Sequence, residues 1–131
     1  MNEKEKDLLI KDLCARLPYG VIVETPNGKG HVCDINLTIF GYEFGVNVNP
    51  TIRENFSINY VKPYLFPLSS MTDEEWEDYQ KIRMIDWVHG DINGTFINAG
   101  SIVDWLNAHH FDYRNLINKN LAIDCTNLNI Y

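Results

Sequence analysis

The sequence predicts an α+β fold in a single domain spanning 1–131. An N-terminal helix comes first, then a small antiparallel sheet of the kind that curls into a barrel-like form, then a mainly helical C-terminal half. Three observations carry this expectation. Leucines recur every four positions near the start. Short β-branched runs separated by turn signals fill 19–61. Two helix-start signals, at Thr72 and Ser101, open apolar-periodic stretches. At 131 residues, 45% hydrophobic and 22% charged, the chain can bury a core and is not of disordered composition.

Residues 3–16 read as a helix, because Leu9, Leu13 and Leu17, with Ile10 and Cys14 beside them, form one apolar stripe. Lys4, Lys6, Asp7, Lys11 and Asp12 are expected on the solvated side, and Leu17-Pro18 with Gly20 ends the helix. Tyr19 to Glu24 reads as a strand, and Pro26-Asn27-Gly28-Lys29-Gly30 as a hairpin turn with positive φ at Asn-Gly. His31 to Leu37 returns as a second strand. Tyr42 to Val48 is a third, with Gly41 and Gly45 permitting a bend or bulge before Asn49-Pro50 breaks it. Phe56 to Val61 alternates as a fourth.

Val61 to Glu75 is the joint of the chain. Pro63 and Pro67 keep Lys62 and Phe66 out of the α region, so the backbone runs extended and buries Tyr64, Phe66 and Leu68. Thr72 and Glu75 then form a capping box for a helix to about Val88, with Trp76, Tyr79, Ile82 and Ile85 or Trp87 on its apolar side. His89 to Thr95 reads as a loop. Ser101 opens a third helix with Ile102, Trp105, Leu106 and His109 on one face, and 111–117 reads as a further short helical segment. Leu121-Ala122-Ile123 is expected as a final strand before an Asn-rich tail.

Charge and cysteine usage exclude several functions. A net charge of −7, with eleven basic residues dispersed among eighteen acidic ones, disfavours duplex nucleic acid and anionic membrane surfaces as partners. No apolar run reaches bilayer-spanning length, and Met1 to Asp7 is not a signal-peptide start. Cys14, Cys33 and Cys125 are odd in number and widely spaced, which fits buried reduced thiols in a cytoplasmic protein.

Specific chemistry is sparse, and no cofactor is indicated. The glycines at 28 and 30 lack the phosphate-loop spacing, and 89–95 lacks the alternating oxygens and closing Glu of a calcium loop. The densest candidate is His109-His110-Phe111-Asp112-Tyr113, with Asp124 or Cys125 as possible spatial neighbours. Imidazoles and a carboxylate there suit general acid–base work or a metal. Adjacent histidines on a helix point about 100° apart, however, so they do not share one ion. The expected arrangement has His109 packed on the helix face and His110 in water. A second candidate is acidic: Asp73, Glu74, Glu77 and Asp78 crowd the first turns of a helix, where negative charge complements the dipole.

Three blocks carry a resemblance: Asp12 to Val21 (Asp-Leu-Cys-Ala-Arg-Leu-Pro-Tyr-Gly-Val), Val61 to Thr72, and Trp105 to Arg114. They resemble a recurrent set in a group of small uncharacterised proteins of gut Bacteroidales bacteria and their phages or mobile elements. The blocks lie at the start, middle and end of the chain, while 22–60 and 84–100 fall outside them. The resemblance implies a bacterial or phage cytoplasmic setting and no mechanism. Three functions follow as expectations. The first is a non-enzymatic module binding a protein partner, for which abundant aromatics suit a contact surface. The second is a small metal-dependent or acid–base hydrolase centred on His109, His110 and Asp112. The third is an acidic decoy that mimics nucleic acid through 73–78.

Overall fold

The computed structural model describes residues 1–49, 52–93 and 99–131, with side chains throughout except at 49, 84–93, 99 and 100. Helix α1 (Glu3–Arg16) starts where Asn2 accepts the amide of Glu5 at 2.8 Å, with Glu3 and Glu5 in the favourable first turn. A 3₁₀ turn at Leu17–Tyr19 follows and ends on Gly20 at φ 71°, a left-handed conformation that glycine adopts without strain. Strands β1 (Ile22–Thr25), β2 (Gly28–Thr38), β3 (Gly41–Asn49) and β4 (Ile52–Ser57) then form an antiparallel meander.

The extended joint becomes β5 (Lys62–Pro67), which pairs antiparallel with β1. A 3₁₀ turn at Leu68–Ser70 leads to helix α2 (Asp73–Asn93), and helix α3 (Ala99–Ala108) follows. Two short strands follow, β6 (Phe111–Asp112) and β7 (Ile123–Asp124), both parallel to β5. The sheet is therefore mixed, ordered β4-β3-β2-β1-β5-β6 with β7 also on β5. It stays open, because among the described residues nothing pairs β4 with β6. The barrel-like, wholly antiparallel sheet expected from the sequence is corrected accordingly.

Peptide groups alternate sides along a strand, and this sorts the neighbours of β5. The Leu65 carbonyl accepts from the Cys125 amide (3.0 Å), while the Phe66 amide donates to the His110 carbonyl (2.8 Å) on the opposite edge. On that second edge β1 has already diverged, and the Tyr131 hydroxyl fills the gap. It accepts from the Ile22 amide at 3.0 Å and donates to the Tyr64 carbonyl at 2.9 Å. The end of the Asn-rich tail thus bridges β5 and the start of β1. Burial pushes the Tyr131 phenol above its ordinary pKa, as suits a hydroxyl spent on two backbone groups.

The core lies between α1 and the sheet. Leu9 and Leu13 meet Val21, Val23, Val32, Phe44, Val46 and Phe56, with Leu116, Leu121 and Ala122 closing one end. Several local expectations change. The fourth strand ends at Ser57, whose hydroxyl accepts the Asn59 amide, so Ile58–Tyr60 is a 3₁₀ turn. Helix α2 continues to Asn93 through the segment expected as a loop; Gly90 costs a helix only about 1 kcal/mol. The rest of that segment, 94 and 95, lies outside the described residues.

Helix α3 begins two residues before Ser101. The expected helix at 111–117 is β6 and turns, since His110 before it and Asn115 within it take left-handed φ of 62° and 61°. Helical structure in the C-terminal half therefore stops at Ala108. Leu68 is exposed, unlike buried Tyr64 and half-buried Phe66. All three cysteines are free, but only Cys125 is buried; Cys14 and Cys33 are exposed, against expectation.

Candidate functional site

The histidine cluster is pulled apart by the chain reversal that follows α3. His109 stays with the helix: its ring stacks on Trp105 at 4.1 Å, and its Nδ1 lies 2.9 Å from the Trp105 carbonyl. His110 takes φ 62° and swings its ring the other way, flat against Tyr131 at 3.5 Å. It was expected in water, yet its Nδ1 is buried without a hydrogen-bond partner among the described residues. Burial first, then the nearby Arg16 guanidinium, lowers its pKa from 6.5 to about 4 and keeps the ring neutral.

Asp112 turns a third way. Its two oxygens accept the Leu116 and Ile117 amides, each at 2.9 Å, and so shape the turn after β6. Asp124 binds its own turn through the Thr126 amide and hydroxyl, and burial pushes the Cys125 thiol up to about 11. The five side chains do not converge. Among the described residues no three His, Cys, Asp or Glu side chains are placed to hold a metal ion.

What the fold does assemble is a buried charge cluster that the sequence reading placed in solvent. Asp12, on the inner face of α1, accepts Arg16 Nε at 2.7 Å and Arg114 Nη1 at 2.8 Å, and neither Asp12 nor Arg16 has exposed surface. Arg16 Nη2 donates to the Phe111 carbonyl at 2.6 Å, and both guanidinium groups lie against the Tyr113 ring. The Tyr113 hydroxyl donates to Asn107 Oδ1 at 2.8 Å. Two cations, one carboxylate and an aromatic face thus lock α1 to the segment after α3. Sealed as it is, this cluster works as a structural joint. The Asp12/Arg16 spacing of four was its one visible signal.

The acidic candidates Asp73, Glu74, Glu77 and Asp78 are all exposed at the start of α2. The expected capping box is present, with Thr72 Oγ1 accepting the Glu75 amide at 3.2 Å and Glu75 accepting the Thr72 amide at 2.9 Å. Trp76 stacks on Tyr79, which reaches Trp105, so an aromatic ladder joins α2 to α3.

The surface feature that stands apart is the β2–β3 hairpin, which sequence reading passed over. Its turn repeats the β1–β2 turn atom for atom. Thr25 Oγ1 accepts the Asn27 amide and donates to the Gly28 carbonyl; Thr38 Oγ1 accepts the Phe40 amide and donates to the Gly41 carbonyl. In both turns the glycine alone takes positive φ, at 120° and 106°, so Asn27 does not, contrary to expectation.

The first turn carries Pro26-Asn27 at its tip, and the second carries Ile39-Phe40. The turn chemistry therefore does not call for apolar residues. Ile39 is 94% exposed and Phe40 88%. Behind them Leu37 pairs with Tyr42 on the same face as core residue Phe44, yet Leu37 is 71% exposed. The inner face of the hairpin runs out past the core. Between this overhang and α1 lies a cleft of about 370 Å³, with Phe40 and Tyr42 on one wall, Glu3, Asp7 and Ile10 on the other, and Ile58 within it. The signal in the sequence was a Thr-x-x-Gly turn with two bulky apolar residues where polar ones are usual.

Helix spacing and apolarity among the described residues include no helix long and apolar enough to cross a membrane. Comparison with family models, curated proteins and solved structures gives no match to this chain.

Proposed function

We propose that the protein is a non-enzymatic interaction module that grips a protein partner through the tip of the β2–β3 hairpin. The observation that carries this reading is the near-complete exposure of Ile39 and Phe40 on a turn whose twin holds Pro26-Asn27. Adjacent bulky apolar side chains in water cost solubility unless a partner covers them, and aromatic anchors of this kind dominate binding energy at interfaces. A rigid two-strand support also presents them with little ordering cost on binding. The setting proposed with it, from the resemblance, is the cytoplasm of a Bacteroidales host or its phage or mobile element, with duplex nucleic acid and anionic membrane surfaces disfavoured as partners by the net charge of −7.

The test is affinity capture from the host with tagged wild type and an Ile39→Asn/Phe40→Asn variant side by side. The variant keeps the wild-type melting temperature, because both side chains lie outside the core. It loses the proteins that wild type retains at stoichiometric level. Identical partner sets on the two baits would sink the reading.

A further inference from the structure

We infer that the cleft between the β2–β3 hairpin and α1 receives an apolar side chain flanked by lysine or arginine, so that the partner presents a basic, apolar segment. This rests on the interaction-module reading and adds the chemistry of the partner. The cleft offers two kinds of wall. Phe40, Tyr42 and half-buried Ile10 give an apolar lining wide enough for one large side chain. Glu3 and Asp7 give a carboxylate rim along the exposed side of α1.

The one lysine in that wall, Lys6, lies 3.5 Å from Glu3 and offsets one of the two carboxylates. Asp7 has no ion-pair partner among the described residues. The rim is therefore net negative on a molecule that is itself at −7, and a cationic group beside the apolar anchor gains from both.

The same charge argues against the other occupants. A second copy would bring two acidic rims and two −7 charges together, and an anionic bilayer would meet the same repulsion. A neutral bilayer would take Ile39 and Phe40 but make no use of Glu3 or Asp7.

The experiment uses two fluorescein-labelled probes, Gly-Lys-Lys-Leu-Phe-Lys-Lys-Gly and its counterpart with glutamate at every lysine. Each is titrated with the full chain and followed by fluorescence anisotropy. The lysine probe binds and weakens as salt rises from 50 to 500 mM; the glutamate probe does not bind. Glu3→Gln/Asp7→Asn weakens the lysine probe roughly 3- to 10-fold, the range expected when two rim carboxylates are neutralised, and Phe40→Ser abolishes binding.

Equal binding of the two probes, or lysine-probe binding untouched by Glu3→Gln/Asp7→Asn, overturns the inference. So does a wild-type dimer that Phe40→Ser dissolves, or co-sedimentation with phosphatidylcholine vesicles lost in Phe40→Ser. If neither probe binds while Ile39→Asn/Phe40→Asn still strips a partner in the capture experiment, the chemistry assigned to the cleft is wrong and the module reading stands.

Discussion

At the scale of single residues the protein is ruled by groups withdrawn from water. Asp12 is the clearest, a carboxylate with no exposed surface between Arg16 and Arg114. Removing one member of a buried pair leaves an uncompensated charge, which costs far more than the pair contributes net. Asp12→Ala should therefore lower unfolding stability by about 3–5 kcal/mol. Asp12→Leu/Arg16→Met, which removes the two fully buried charges and leaves only the partly exposed Arg114, should recover much of that loss. A urea-denaturation stability for Asp12→Ala within 1 kcal/mol of wild type would show that the cluster is already hydrated.

His110 makes a second residue-level prediction. Its folded pKa is about 4, against an unfolded value of 6.5. Below pH 6.5 the unfolded chain takes up a proton that the folded ring refuses, so stability falls as pH drops from about 6.5 toward 4 and is level above that window. Arg16, His31 and His109 are the charges that sharpen this, since each disfavours a second cation. His110→Asn tolerates the left-handed backbone and should flatten part of the fall in urea midpoint between pH 7.5 and 5. An equal fall in both proteins would place the acid sensitivity elsewhere.

At the scale of elements, what was legible in the sequence was whatever depends on local rules. The leucine stripe gave α1 its bounds. The Pro26–Gly30 turn signal and β-branched runs gave the meander, and two prolines gave the extended joint that became β5. The Thr72/Glu75 box was equally legible, and its geometry supports a measurable role. Thr72→Ala should cost about 1 kcal/mol, read as a lower denaturation midpoint with an unchanged slope. An unmoved midpoint would mean that the first turn of α2 is held by something other than its cap.

What was illegible depends on distant partners. The segment from Phe111 onward has helical composition, but β5 offers Phe66 as a backbone partner and Asp112 uses both oxygens on a turn, so the chain bends instead. Asp12 sits among charged neighbours on a helix, and nothing local says that Arg114, 102 residues later, will reach it. The hairpin tip was missed for the opposite reason. Its local signal was present, but Ile39-Phe40 stands out only once the identical turn at Pro26-Asn27 is seen beside it.

For the whole molecule the deciding quantity is where the eleven basic residues are spent. Duplex DNA is bound chiefly by lysines and arginines that displace counterions from phosphates, so what matters is how many are free on one face. Arg16 and Arg114 are committed to Asp12, Arg53 to Asp34 through Nε at 2.7 Å, and Lys6 to Glu3. Lys62 reaches Asn120 at 3.0 Å, and Lys29 lies over the Tyr64 ring. The other five basic residues, Lys4, Lys11, Lys81, Arg83 and Lys119, are scattered along the chain, and eighteen carboxylates outnumber them. A 20-base-pair duplex should therefore show no binding in a gel-shift titration at physiological salt. Charge repulsion does not depend on the sequence of the duplex, so changing it should not restore binding. Micromolar binding that weakens steeply with salt would mean that these pairings open to release a basic face. It would also undercut the acidic rim on which recognition at the hairpin cleft depends.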